Sequence, residues 1–284
     1  MPLNPLLTLP SLTLSLDHIV ILVRDLEEAI ANFSTEGFTV QRGGTHADGN
    51  THNALVVFSD GSYLELIAFL KPAAQHRWGH LHAKGYTGFV DYALLPGNVG
   101  EAVSAAQSRG LSYFGPVDGG RIRPDGKKLL WKIGAPPTSD LPFLCGDITP
   151  RDWRVSQGNT RLHDNGVQGL ASLTLVVHDL ELSRQRYRAL LGEQADHENQ
   201  LQQLTGLGLS TTSFTLGTIQ LVLVSPHGHN EGPAAIALHQ TLDTRGEGLI
   251  GVGLRAPRTH DRVATKRAQV LHIRHHTPFD IHYF

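Results

Sequence analysis

The hydrophobic pattern of "LDHIVILVRDLEEAIANF", which begins at Leu16, changes period partway along. Up to Val23 it is a nearly unbroken apolar run of strand length. Beyond Asp25, Leu26, Ile30 and Phe33 recur at helical spacing, and Asp25 with Glu28 three residues on forms an N-terminal capping pair. The same strand-then-helix plan returns 154 residues later in "LASLTLVVHDLELSRQRY", where Asp179 stands in for Asp25. A weaker copy between them predicts a strand from about Phe89 to Leu95 and a helix from about Val99 to Arg109, ended by Gly110. Each helix is followed by strand-like segments: "THNALVVF" and "SYLELIAF", then "KKLLWKIG" and "LPFLCGD", then "TTSFTLG" and "TIQLVLVS". A fourth unit starts at "GLIGVGLRAP" and closes at "TPFDIHYF", with too short an interior for a full copy. The predicted unit is βαβββ, used three to four times.

Strand periodicity of two places His18 on one face with Val20 and Leu22, and Glu65 on one face with Tyr63 and Ile67. The opposite faces, Ile19, Ile21 and Val23 and then Leu64, Leu66 and Ala68, are free to pack on the helices. His18 and Glu65 therefore point away from the helices, into whatever the sheet encloses. Buried polar groups need partners, and a metal ion is one partner that suits both; a direct hydrogen-bonded pair is the other.

Composition narrows the partners. Lys+Arg 24 against Asp+Glu 26 gives a formal charge of -2, with no sustained basic tract, which disfavours nucleic acid. The single cysteine, Cys145, excludes an intramolecular disulfide framework and a Cys-rich zinc site. No apolar run approaches the roughly 20 residues of a membrane helix, and residues 1–15 suggest an extended, proline-broken arm better than a signal peptide. A cytoplasmic protein without a membrane or nucleic-acid partner, monomeric or homodimeric, is the expectation. Glycine-rich stretches match neither a dinucleotide fingerprint nor a phosphate loop.

With these segments in hand, the chain resembles the vicinal oxygen chelate superfamily, and within it the glyoxalase-like branch. "LDHIVILVRDLEEA", "GGTHADGNTHNALVVFSDGSYLELIAF", "GGRIRPDGKKLLWKI" with "LPFLCGD", and "RLHDNGVQGLASLTLVVHDLELSRQRYRALLG" carry the likeness. The resemblance implies an α+β fold of repeated βαβββ modules in cupped mixed sheets with helices on the convex face. Paired modules at 16–150 would form the active-site domain, and 151–284 a second glyoxalase-like domain with a degenerate last module. It also implies a divalent ion (Zn, Mn, Fe or Ni) held by residues on the first and last strands of the modules. Carried over by position, these are His18 and Glu65, with Asp91 opposite His18 in the second module. The last strand of that module offers only Cys145 or Asp147; in the third, Ser172 replaces His18, and Gln220 or Leu221 lies opposite Glu65.

Other residues complete the expected site. His52, ahead of the "NALVVF" strand, is in reach of a metal or substrate oxygen, whereas His46 belongs to the loop surface. Arg121 and Arg123 are two apart, suited to pair with a carboxylate or enediolate, although solvated surface arginines are the commoner case. Tyr63, Arg123 and Trp131 are candidates for the pocket wall. Of the 17 histidines, the dense C-terminal group His272, His275, His276 and His282 shares a face only if helical, and the segment has a strand pattern. Cys145 has no local histidine or nucleophile elbow around it. The expected function is a metal-dependent isomerase or lyase on a small carbonyl, enol or hydroxy-acid metabolite, with Glu65, Asp91, His52 and Arg121 as the reacting groups. The alternatives are a metal-free small-molecule binding or resistance protein and an Fe(II) extradiol-type dioxygenase, which would need His52 as a second histidine.

Overall fold

The computed structural model describes residues 13–227, 232–257, 269–273 and 277–283. The first module runs β1 (Ser15–Leu22), α1 (Leu26–Thr35), β2 (Gln41–His46), β3 (Thr51–Val57) and β4 (Tyr63–Phe69). A short helix, α2 (Gly79–Ala83), leads into β5 (Gly88–Leu95), α3 (Val99–Ser108), β6 (Phe114–Ile122), β7 (Lys128–Ala135) and β8 (Phe143–Asp147). After α4 (Arg151–Arg154) come β9 (Gly169–Val176), α5 (Leu180–Leu191), β10 (Glu198–Leu204), β11 (Leu209–Leu216) and β12 (Ile219–Pro226). The chain continues through α6 (Gly232–Arg245) to β13 (Gly248–Ala256), β14 (Gln269–Ile273) and β15 (Thr277–Tyr283).

The βαβββ repeat is present, and in each unit the first strand pairs parallel with the last: β1 with β4, β5 with β8, β9 with β12, β13 with β15. Asp25, Asn98 and Asp179 cap their helices through hydrogen bonds from Glu28 N (2.9 Å), Glu101 N (3.1 Å) and Leu182 N (2.9 Å). Each such cap contributes about 1 kcal/mol. The middle helix thus uses Asn98, a cap its weak sequence pattern hides.

The first two modules do more than form a cup. Thr45 and His46 of β2 pair with Ile122 and Arg121 of β6, and the eight strands close into a barrel of order β1-β4-β3-β2-β6-β7-β8-β5. β2 and β6 fall on stretches that the pattern marks only as glycine-rich, because Gly43, Gly44, Gly119 and Gly120 interrupt the alternation. The other strands form a seven-stranded sheet, β10-β11-β12-β9-β13-β15-β14. The fourth unit has its strands; the stretch where its helix would fall, 258–268, and His275 and His276 lie outside the described residues.

One hydrophobic core joins both halves under the helices, with Ile19, Ile21, Phe33 and Leu64 from one and Leu173, Tyr187, Phe214 and Phe279 from the other. Phe279 meets Phe33 and Phe89 edge-on, with ring centroids 6.3 and 5.2 Å away. A separate apolar cluster lies inside the barrel and includes Val20, Leu22, Ile67, Trp131 and Phe143. The alternation of β1 and β4 therefore sorts side chains between two cores, as expected.

Candidate active site

The barrel interior holds a cavity of about 240 Å³. Strand parity brings His18 and Glu65 to its wall, 3% and 6% exposed, with His18 Nε2 3.4 Å from Glu65 Oε2. The His18 ring is stacked on Tyr63 at 4.6 Å between centroids and met edge-on by Phe143 at 5.3 Å, so its plane is fixed by packing.

A β-bulge supplies the next layer. The pairing of β1 with β5 slips between Leu16 and His18, leaving Asp17 as the extra residue. A bulge re-aims a side chain that regular alternation would send to the other face. Asp17 is fully buried, and its Oδ2 sits 2.8 Å from His18 Nδ1. Arg154, at the end of α4, donates to Asp17 Oδ2 (2.8 Å), Tyr63 Oη (2.6 Å) and Asp147 Oδ2 (2.9 Å). Arg151 adds a second ion pair to Asp17 Oδ1 at 2.7 Å. Two arginines against two aspartates make this support neutral overall.

His46 and Asn53 also line the cavity. His46 Nε2 is 3.5 Å from Glu65 Oε1, its Nδ1 is 2.8 Å from Thr51 Oγ1, and Trp131 flanks the ring edge-on at 6.0 Å. Asn53 Nδ2 donates to Glu65 Oε1 at 2.6 Å, while its Oδ1 accepts from Arg121 Nη1 at 3.0 Å. Arg121 is 4% exposed and donates its other amino group to the Arg154 carbonyl at 3.1 Å. Gly43 makes room for this arrangement, since a Cβ there would stand 2.0 Å from both Arg121 Nη1 and Asn53 Oδ1.

The charge states follow from these contacts. Burial works against both partners of the central pair. At Glu65 the His18 ring, His46 and the Asn53 amide overcome it and bring the pKa down to about 2. At His18 the Asp17 and Glu65 carboxylates overcome it and raise the pKa above the ordinary value. At His46 burial prevails, helped by Arg121, and its pKa is lowered. Burial would raise the Asp17 carboxyl, but Arg154, His18 and Arg151 hold it far below the usual carboxylate range.

Four sequence candidates fall elsewhere or play a different part. Asp91 has the inward parity, but its carboxylate is taken by Arg77 Nε, by Trp78 Nε1 (2.9 Å) and by the Tyr92 amide (2.9 Å), and it does not line the cavity. His52 shares its face with Ala54 and Val56 of the helix-side core and is likewise absent from the wall; Asn53 and His46 hold the places expected of it. Arg123 is tied to the Trp153 carbonyl at 3.1 Å and to Asp125 at 3.0 Å, outside the main cavity. Cys145 does line the cavity, but burial pushes its thiol up to about 12. Tyr63, Trp131 and Arg121 are at the wall. Strand register also revises two alignments: Val20 faces Glu65, Ala93 faces Phe143 and Thr174 faces Val222, so Phe143 and Val222 are the counterparts of Glu65.

Among the described residues no group of three or more His, Cys, Asp or Glu side chains is assembled to hold a metal ion. The donor types nevertheless suit one. Asp17 occupies His18 Nδ1, the second-sphere bond that leaves Nε2 for a metal. The 3.4 and 3.5 Å from the two ring nitrogens to the Glu65 oxygens are also close to the roughly 3.4 Å between two ligands each about 2.1 Å from a tetrahedral ion.

Paired βαβββ modules around a cavity define a protein of the vicinal oxygen chelate fold. Residues 16–191 match the model of the glyoxalase-like domain family, more than half of the chain, and the protein belongs to that family. Among solved structures, a hypothetical protein from Staphylococcus aureus is similar over 95% of this chain and 100% of its own (TM-score 0.68, 13% identity). A mutant of 4-hydroxymandelate synthase from Streptomyces coelicolor is similar over 87% of this chain and 72% of its own (TM-score 0.58, 12% identity). A xylose isomerase-like TIM barrel/4-hydroxyphenylpyruvate dioxygenase fusion protein matches 93% of this chain, which spans 40% of that one (TM-score 0.52, 16% identity). At such identities the likeness is one of fold. No curated protein matches the sequence.

Proposed function

We propose that the protein is a metal-dependent glyoxalase-like enzyme, an isomerase or lyase acting on a small carbonyl, enol or hydroxy-acid metabolite inside the barrel. The observation that carries this reading is the buried His18–Glu65 pair, backed by Asp17 and open to a cavity of about 240 Å³. His18 and Glu65 would hold a divalent ion, which when bound supplies a Lewis acid for a substrate oxygen. His46, neutral near pH 7 because burial lowers its pKa, offers Nε2 as the acceptor for a substrate proton. Asn53 fixes Glu65 through Oε1. Trp131, Ile133 and Phe143 give the cavity an apolar wall. Asp91, committed to Arg77 and Trp78, has no part in this scheme.

His46 also favours a second reading. With its ring turned toward the ion it would complete a set of two histidines and one carboxylate, which suits Fe(II) and oxygen chemistry. Metal analysis of protein purified without an affinity metal, run on wild type, His18→Ala, Glu65→Ala and His46→Ala, tests both. Metal lost in the first two variants and kept in His46→Ala supports the isomerase or lyase. Iron lost in all three supports the oxygenase. A metal-free wild type that takes up no added divalent ion removes both and leaves a metal-free binding protein.

A further inference from the structure

Arg121 is a buried cation without a buried counter-ion. Its guanidinium has two protein acceptors, the Asn53 amide oxygen and the Arg154 carbonyl, and both are neutral. Among the described residues no carboxylate lies within ion-pair distance of it. The neighbouring charges do not relieve this, because Arg154 and Arg151 are already matched by Asp17 and Asp147. Glu65 is the nearest carboxylate along the hydrogen-bond chain, and Asn53 stands between the two, donating to one and accepting from the other. A side-chain amide in that position keeps Arg121 from neutralising Glu65.

Arg121 also borders a second, polar cavity of about 180 Å³, shared with Gln41, Arg42 and Arg123 on the far side of Leu55. The Nε2 of Gln41 is buried there with no hydrogen-bond partner. Arg121, without a counter-ion, and the unpartnered Gln41 amide thus border the same second cavity. Leaving a buried cation unpaired is costly, and a carboxylate bound by a guanidinium is among the stronger and more directional pairings in proteins.

We infer that the ligand of this cavity is an anion, a short 2-oxo or 2-hydroxy acid whose carboxylate is held by Arg121 while its neighbouring oxygen faces His18 and Glu65. This narrows the proposed function to a substrate class and rests on that reading for the location of the reacting end, but not for the metal. Arg121 is then the residue that selects acids over neutral carbonyl compounds, and Asn53 is the positioning residue that keeps it available.

The test is calorimetric titration at fixed ionic strength with pyruvate, 2-oxobutyrate and lactate, each against its neutral amide, on metal-loaded and chelator-stripped protein. The acids are expected to bind at least about tenfold more tightly than their amides in both preparations. Arg121→Gln should abolish that preference. Arg121→Lys should keep part of it, and Asn53→Asp should weaken acid binding by placing a carboxylate on Arg121. Circular dichroism checks folding; if Arg121→Gln does not fold, the wild-type ratio and Arg121→Lys still decide. Equal binding of acid and amide, a preference that survives Arg121→Gln, or no acid bound below about 10 mM overturns the inference. An acid preference in protein that never takes up metal would retain the anchor and discard the metalloenzyme; bound metal without an acid preference would do the reverse.

Discussion

The two halves of the molecule use one βαβββ plan to opposite ends. In the N-terminal half the strands close and the face away from the helices stays hollow, with His18, His46, Asn53, Glu65 and Arg121 set among apolar side chains. In the C-terminal half one end of the equivalent face is covered by a helix: Ala235, Leu238 and Leu242 of α6 pack onto Val176, Leu209, Val224 and Ile250. The residues at the places of His18 and Glu65 are there Ser172 and Val222. A helix packs on part of the face that in the other half lines a cavity. The lesson is that the fold supplies a concave face, and a few inward positions decide whether it becomes a site or a packing surface.

That contrast can be broken most severely at Arg154. Arg154→Ala leaves the buried Asp17 and the half-buried Asp147 with one cation fewer, and should cost about 3–5 kcal/mol. Trp78 and Trp131 belong to the barrel's apolar cluster and Trp153 packs against it, so their fluorescence in urea follows the barrel while far-ultraviolet circular dichroism follows both halves. Leu242→Ala removes buried contacts from the filled half and should cost about 2–3 kcal/mol. Its circular dichroism transition should move to lower urea ahead of its fluorescence transition. Equal shifts of both would show that the shared core makes the halves unfold together.

A further effect is expected from pH. The Glu65 pKa is depressed to about 2 in the folded protein, so its contribution is present above the unfolded value near 4.5 and lost as pH falls toward 2. The His18 pKa is raised above 6.5, so its contribution is complete below 6.5 and lost as pH rises through the folded value. In chelator-treated protein the gap in urea midpoint between wild type and Glu65→Gln should therefore be widest between about pH 4.5 and 6.5. A flat gap would mean that the pair is uncharged. The smallest perturbation is chemical: Cys145, 3% exposed with a thiol pushed up to about 12, should resist a thiol reagent until the barrel opens. Fast labelling of native protein would show that the thiol is reached through the cavity it lines.

How much of this could be read from the sequence follows from how local each cause is. The inward faces of β1 and β4 were legible because strict alternation fixes them, and with them His18, Glu65 and Tyr63. His46 was not, since β2 lacks an apolar pattern and gains its place by pairing with β6 across the barrel seam. The choice between His52 and Asn53 was a matter of parity, and the pairing of Leu55 with Glu65 puts Asn53 inside. Asp17 is hidden by the bulge, and Arg154 reaches it from 137 residues away. Asp91 has the expected parity, yet Arg77 and Trp78, on a connection without periodicity, capture its carboxylate. Helix α6 covers a surface that only the folded sheet creates.

Closure of the first sheet has one more consequence, for assembly. Sheets associate by adding a strand to an unpaired edge, and a ring of eight strands has no such edge. Among the described residues the free margins are β10 and β14, both in the C-terminal sheet. Strand-to-strand joining of two copies is therefore confined to those margins, and it leaves the walls of the cavity unchanged.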